Sequence, residues 1–505
     1  MRGKNPVLNK FLLFVFIILI NFSVTLSRSR VKKIDELMKC YVDNGQFNGS
    51  ILVAEKGEII YQKAFGYSNF EWNIPNTLDT KFRIASTTKP FTALLVLQCV
   101  ERGLLSLDGK LTGYLPDYPA KNGDRITIHH LLSHTSGLID YPDVPGGFDQ
   151  HERVYHSQKQ MLNYFSETDL FFEPGTQFRY SNFGYYLLGV ILEKVTGKSY
   201  AELLREKICG PAGMKHTELE NNSAIVENRA YGYTYHLFNG IQNAPPLDMS
   251  VTFSAGGLLS TVYDLYLFDR ALHSDKLISP QYKKLLFQPV LNNYAYGWEK
   301  KTLQLGCTGD EVTVVQHPGS INGFGANIRR FPDEEFVIIQ LYNLVENPYT
   351  GMILADGNKL AGNIAAIMYD RDYDLPKKSA VFEMTKVLMA VGTDSAIAFY
   401  ENLKKDRQNN YYFAEMELNK IGLKLFFAER KFEPAQKILQ MNIREHPQSY
   451  NVYDSIAYVY MNHGEPQKAL DYFNKGVEIY NQYPANQQYA NDYRNALEQI
   501  KRLSE

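Results

Sequence analysis

Ala85-Ser86-Thr87-Thr88-Lys89-Pro90-Phe91-Thr92 sets a serine and a lysine three residues apart at the head of a mostly apolar run that continues to Val100. That run predicts a helix rooted in a core, with Ser86 and Lys89 on one face of its first turn. A serine hydroxyl is a weak nucleophile at neutral pH and needs a base within hydrogen-bond reach. Lys89 can be that base, and the unpaired N–H groups of a first helical turn add positive potential beside the oxygen. A helix-capping serine beside a solvated lysine is the bland alternative. The spacing does not decide between them, because Ser29 and Lys32 repeat it in a basic segment near the amino terminus.

The chain has 505 residues, enough for two or three domains. Its formal charge of −2 gives no reason to expect nucleic acid or an anionic membrane surface as a partner. Residues 1–27 read as a secretory leader: Arg2, Lys4 and Lys10 precede the apolar run Phe11 to Ile20, and Thr25-Leu26-Ser27 offers a cleavage site. Asn21, Ser23 and Thr25 interrupt the run short of the roughly 20 apolar residues of a membrane span. The expectation is an exported protein, periplasmic or extracellular, with membrane attachment only through an uncleaved leader. Four cysteines, Cys40, Cys99, Cys209 and Cys307, lie far apart without C-x-x-C spacing, so neither zinc nor any pairing is assigned.

Gly49 to Ala64 reads as a hairpin turning at Lys56-Gly57, the start of an antiparallel sheet. In Ile126 to Leu138, His130 and His134 stand four apart, but Leu131 replaces the glutamate of the metalloprotease pattern. A helix ending in a turn near Gly137 is the better reading. Tyr180-Ser181-Asn182 falls just before the helical pattern Leu187 to Thr196. A phenol becomes a base at neutral pH only if a cation such as lysine depresses its pKa, and Asn182 is suited to hold the lysine or a substrate carbonyl. Tyr67-Ser68-Asn69 repeats the tripeptide and reads as a turn at a hairpin end. Ser254 to Thr261 is a glycine-rich close-approach segment opening the helix Val262 to Leu272. His317-Pro318-Gly319-Ser320 precedes strand-like runs, where a histidine at a strand edge can face a substrate while backbone N–H groups point at its oxygen.

Taken in order, Ser86-Thr87-Thr88-Lys89, Tyr180-Ser181-Asn182 and His317-Pro318-Gly319 resemble the three-part signature of the class C β-lactamase and penicillin-binding serine hydrolase family. Leu131 to Leu138, Pro174-Gly175-Thr176, Gly210 to Met214 and Gly256-Gly257-Leu258 resemble its linking landmarks, so that the likeness spans residues 31–370. The resemblance implies an α/β (α+β) β-lactamase/transpeptidase-like fold, an antiparallel sheet flanked by helices with a helical lobe and a cleft between. It also implies roles. Ser86 is the acylated nucleophile, Lys89 and Tyr180 share the proton transfers, and Asn182, His317 and Gly319 contact substrate. The backbone N–H groups of Ser86 and Ser320 form the oxyanion hole, and no metal or organic cofactor takes part. One departure matters: β-lactamases of the family typically carry Lys-Thr-Gly where this chain has His317-Pro318-Gly319, which weakens recognition of a penicillin carboxylate.

Beyond a linker expected over 371–392, residues 393–505 read as helix pairs. A period of 34 aligns Phe426 with Tyr460, Ala435 with Ala469 and Leu439 with Phe473, with Pro447 and Pro484 near the unit ends. This resembles tetratricopeptide repeats, flanked by helices Ser395 to Leu403 and Asn486 to Leu503; a plain helical bundle is the alternative. The expected function is an exported serine hydrolase acting on D-amino-acid peptides or small esters in preference to β-lactams. The competing expectation is a catalytically weak sensor or scaffold that binds a peptide or β-lactam and acts through its helical repeats, where a protein or peptide partner docks.

Overall fold

Ile51 and Val53 of strand β1 (Gly49–Glu55) pack into one buried cluster, while Leu52 and Ala54 between them pack into another. Successive strand side chains point to opposite faces, so an unbroken apolar run marks a strand covered on both sides. The computed structural model describes residues 28–144, 151–165, 168–236, 238–333, 335–346, 357–407, 410–483, 498–499 and 501–502. The expected leader, Pro484 and most of the expected helix Asn486 to Leu503 lie outside the described residues.

β1 is one of six strands in the main sheet. With β2 (Glu58–Phe65), β3 (Glu299–Gln304), β4 (Glu311–Ile321), β5 (Phe324–Phe331) and β6 (Phe336–Tyr342) it forms the order β3-β4-β5-β6-β1-β2. Every neighbouring pair is antiparallel. β6 repeats the two-faced pattern, with Phe336 and Ile338 in one cluster and Val337, Ile339 and Leu341 in the other. One face is covered by helix α1 over residues 28–43, through Ile34, Leu37 and Met38, and by a helix near residue 360, through Leu360 and Ile364. The other face carries the helices that matter for the site: α2 (Lys89–Glu101), α3 (Asn182–Thr196) and α4 (Val262–His273). The rings of Phe91 on α2 and Phe268 on α4 stack 3.9 Å apart. Every residue of α2 from Lys89 to Cys99 is buried, as expected of a helix apolar on nearly all sides.

Several local readings change. Tyr67–Asn69 is a short strand paired with Ile74–Pro75, not a turn. The helix carrying His130 spans only Ile128–Leu132, and His134 lies beyond it at φ +57°, so the two imidazoles do not share a helical face. The glycine-rich stretch divides into a single turn, Phe253–Gly256, and a strand, Leu258–Ser260, before Thr261 caps α4. That strand pairs with Phe82–Arg83 and so holds the approach to Ser86. No helix among the described residues is long and apolar enough to cross a membrane.

The chain from Pro376 onward, together with Tyr235–Gln242, forms a second compact unit. After the sheet-covering helix α5 (Gly357–Met368) it contains α6 (Ala380–Val391), α7 (Thr393–Arg407), α8 (Glu415–Phe427), α9 (Phe432–Glu445), α10 (Tyr450–His463) and α11 (Pro466–Gln482). The linker expected over 371–392 therefore needs correction. Val381, Met384 and Leu388 recur at helical spacing and are buried, and Ser379 caps the helix by accepting from Phe382 N. A tip from the earlier part of the chain also belongs here: Tyr235 packs edge-on against Phe382, and Lys424 sits over the Phe238 ring.

Candidate active site

Ser86 occupies one turn of 3₁₀-helix, Ala85–Thr88, and the α-helix proper begins at Lys89. Pro90 suits that start, because its missing N–H is one a helix leaves unpaired in its first turn. Ala85 holds a left-handed φ of +47°, a conformation that costs a residue with a β-carbon about 1–2 kcal/mol. The turn leaves Ser86 partly exposed while Ala85, Thr87, Thr88 and Lys89 are buried. β4 is pressed against it. Thr87 Oγ1 donates to the His317 carbonyl at 3.0 Å, and a β-carbon on Gly319 would fall 2.1 Å from Ile84 O. Only glycine permits that approach.

Lys89 is fully buried, and its Nζ touches three oxygens: Ser86 Oγ at 3.0 Å, Asn182 Oδ1 at 2.8 Å and Ala255 O at 2.8 Å. The last two can only accept. A neutral amine therefore gives its two protons to Asn182 and Ala255 and turns its lone pair to the Ser86 hydroxyl, whereas an ammonium donates to all three. Burial pushes the Lys89 pKa down to about 7, against the opposing pull of Asp140. Ala255 comes from the Phe253–Gly256 turn, which α3 approaches so closely that a β-carbon on Gly189 would lie 2.1 Å from Ser254 Oγ.

Asp140 was not foreseen from the sequence. Its Oδ1 accepts from the backbone N–H groups of Asn182 and Phe183 at 3.0 and 3.2 Å, and its Oδ2 from Asn182 Nδ2 at 2.9 Å. The carboxylate thus sits at the amino terminus of α3 and fixes which way the Asn182 amide points. Burial raises its pKa, and these donors together with Lys89 oppose the rise. The only cue in the chain is its place just after the turn at Gly137-Leu138.

Tyr180 lies over the same lysine, with Lys89 Nζ 4.8 Å from its ring centroid. Its phenol is within hydrogen-bonding reach of Ser86, yet burial holds its pKa well above the ordinary value. It is a protonated donor at neutral pH, so the condition under which a phenol becomes a base, a pKa depressed by a neighbouring cation, is not met here. His317 also departs from expectation. It is 1% exposed, its Nδ1 hydrogen-bonds Pro318 O at 2.8 Å and its Nε2 hydrogen-bonds the Tyr294 hydroxyl at 2.9 Å. Burial and Lys89 push its pKa down to about 3, so it is a neutral buried support and not a side chain facing substrate. His134, which the sequence places in a turn, supports the same site. Its Nδ1 accepts from Ser181 N at 3.1 Å, and its ring lies 4.2 Å from that of Tyr180 and 4.6 Å from that of Tyr294.

Ser320 is exposed on β4, where β3 no longer covers the strand: β3 pairs β4 only between Glu311 and Gln316. Pro318 has no N–H for the ladder with β5, so it fits where its nitrogen faces the uncovered edge. The two-residue repeat sends the Ser320 N–H to that same edge. Among the described residues, no group of three or more His, Cys, Asp or Glu side chains is placed to hold a metal ion.

The Beta-lactamase family model matches residues 34–360. Penicillin-binding protein 4* of Bacillus subtilis (strain 168) is 32% identical over 374 residues, covering 70% of this chain and 80% of that protein. The crystal structure of a penicillin binding protein from Bacillus halodurans is similar at a TM-score of 0.54 and 26% identity, over 66% of this chain and 97% of that one. A D-stereospecific amidohydrolase from Streptomyces sp. is similar at a TM-score of 0.53 and 25% identity, over 62% of this chain and 94% of that one. A family match over most of the chain, a relative aligned along four-fifths of its own length and the same sheet with its flanking helices agree: the chain belongs to the beta-lactamase family.

Proposed function

We propose that the protein is a serine hydrolase that cleaves amide or ester bonds through an acyl-enzyme on Ser86. The observation that carries this reading is the three-way contact of Lys89 Nζ, because its neutral form has an unshared pair left only for the Ser86 hydroxyl. Lys89 accepts the Ser86 proton as Oγ bonds to the substrate carbonyl carbon, and the carbonyl electrons move onto its oxygen. The N–H groups of Ser86 and Ser320 receive that oxyanion. On collapse, the bond to the leaving nitrogen or oxygen breaks, and the Tyr180 hydroxyl, resupplied from Lys89, protonates the departing atom. Water then repeats the steps against the ester of Ser86 and releases the acid.

D-amino-acid peptides or small esters are favoured over β-lactams. The likeness to a D-stereospecific amidohydrolase supports the first part. The neutral, buried His317 supports the second, since it supplies no charge for a penicillin carboxylate. Residues 1–27 are read as an export leader. Helix pairs α8–α9 and α10–α11 are read as two tetratricopeptide-like repeats; Ala435 and Ala469, and Leu439 and Phe473, one period apart, are all fully buried. The test is turnover of D-alanyl peptides, p-nitrophenyl acetate and a penicillin by the native protein and Ser86→Ala. Serine-dependent release from the peptide or ester, exceeding that from the penicillin, is the expected result. Equal release by both proteins overturns the reading.

A further inference from the structure

A cavity of about 250 Å³ is lined by Arg83, Arg153, Arg229, Tyr231, Asn322 and Phe324 among others, and by no carboxylate side chain. Its position follows from the chain. Arg83 is three residues before Ser86, which limits the separation of their Cα atoms to about 11 Å. Asn322 is two residues beyond Ser320 on the same strand and turn. The cavity lies past the Ser320 end of β4, whereas Tyr180 and Lys89 lie toward its His317 end, where Tyr180 and His317 rings are 6.3 Å apart. On the reading that Tyr180 protonates the leaving group, what enters this cavity belongs to the acyl half of the substrate.

Two of the three cations are held in place. Glu220, whose side chain is fully buried, accepts from Arg83 Nε at 2.7 Å and Nη2 at 2.9 Å, and from Arg229 Nη1 at 3.2 Å. One carboxylate thus spaces two guanidinium groups, and Arg83 also packs against the Phe324 ring at 5.7 Å. Arg153, exposed on the cavity wall, has no partner among the described residues. Arg83 and Arg229 share one buried carboxylate and Arg153 has none, so the guanidinium groups lining the cavity outnumber the carboxylates that pair with them. The opposite wall is equally fixed. Asn322 Nδ2 donates to Pro245 O at 3.1 Å, and a β-carbon on Gly232 would lie 2.6 Å from the Phe324 ring. Guanidinium groups held this way suit carboxylate or phosphate oxygens, because their donors are oriented before the ligand arrives.

We infer that this cavity is a specificity subsite for an anionic substituent, a carboxylate or a phosphate, on the acyl part of the substrate. The inference rests on the acyl-enzyme reading of Ser86 and goes beyond it by naming what the acyl group carries.

The test uses p-nitrophenyl esters of dicarboxylic acids from glutaryl to suberyl, their methyl-capped counterparts and the matching phosphonates. At the best chain length, kcat/KM for an anionic ester exceeds that for the capped ester by about ten- to hundredfold in the native protein. The larger of the carboxylate and phosphonate ratios identifies the preferred anion. In Arg153→Gln, and further in Arg153→Gln/Arg229→Gln, that ratio falls toward one. Arg153 is exposed and unpaired, so its effect cannot be ascribed to misfolding. A native ratio of one at every length, or a ratio unchanged in the double variant, overturns the inference. If no ester is hydrolysed in a Ser86-dependent way, the catalytic reading fails separately. Calorimetric titration with the free diacids and their dimethyl esters then decides the subsite alone: tighter diacid binding by the native protein than by the double variant supports it, and equal binding overturns it.

Discussion

Asp140 and Lys89 face each other through one side chain: Asn182 donates Nδ2 to Asp140 at 2.9 Å and accepts at Oδ1 from Lys89 at 2.8 Å. The amide can point only one way between a carboxylate and an amine. The arrangement holds Lys89 in line with Ser86 and sets its proton affinity, since burial lowers the Lys89 pKa to about 7 while the Asp140 charge raises it.

The pH dependence follows from that balance. Below about pH 7 Lys89 keeps its proton and cannot accept that of Ser86, so kcat/KM falls on the acid side with a midpoint near 7. Asp140→Asn removes the charge that supports the ammonium, and the midpoint moves to lower pH by about one unit. The maximal rate drops as well, because an amide at 140 has one acceptor oxygen; with that oxygen on the backbone N–H groups of Asn182 and Phe183, its NH2 group opposes Asn182 Nδ2. A pH–rate profile of both proteins checks this; a midpoint that stays or rises in the variant contradicts it.

Tyr180→Phe keeps the ring over Lys89 and removes only the hydroxyl. An amine leaving group needs a proton, whereas p-nitrophenolate departs as a stable anion. Amide turnover is expected to fall by about a hundredfold or more, and p-nitrophenyl ester turnover by much less. Equal losses on both substrates would mean that Tyr180 positions Ser86 and donates nothing.

Gly319→Ala places a methyl group 2.1 Å from Ile84 O, so either β4 or the Ser86 turn must move. Because Ser320 is the next residue, its N–H shifts away from the reacting carbonyl. Loss of one oxyanion donor costs about 100- to 1,000-fold in kcat. That loss, with an unchanged circular dichroism spectrum, is the expected outcome.

His317 gives a stability prediction. An unfolded histidine titrates near 6.5, while burial holds His317 down at about 3. Between those values the unfolded chain binds the extra proton, so stability present above about pH 6.5 is lost as the pH falls. Integrated from pH 6.5, where the unfolded imidazole is half protonated, down to pH 5, this amounts to about 1.6 kcal/mol. Urea unfolding at pH 6.5 and pH 5 should therefore show a smaller acid loss in His317→Gln than in the native protein, by about that amount.

The sheet and the Ser86 turn were legible in the sequence because they rest on local signals. The Ile51–Ala54 run is periodic in two faces, and Ser86 and Lys89 share one turn. The helix Ala380–Val391 was hidden by the Pro376-Lys377-Lys378 cluster before it, though Val381, Met384 and Leu388 carry helical spacing. Asp140 and Ala255 were not legible, since what each contributes is a contact across more than forty residues, and in Ala255 the contributing atom is a backbone oxygen. The burial of His317 was hidden for the same reason: it is made by Tyr294 and the Ser86 turn, not by its neighbours in sequence. Pro318 is the converse case, a residue whose chemistry alone tells which edge of its strand lies open.

Acylation of Ser86 is tested by intact-protein mass spectrometry of the native chain and of Ser86→Ala, each mixed with an activated ester and sampled over time. The native protein is expected to gain the mass of the acyl group on Ser86 and to lose it as free acid accumulates, with no adduct in the variant. An adduct on another residue, or hydrolysis by the variant at the native rate, would contradict it.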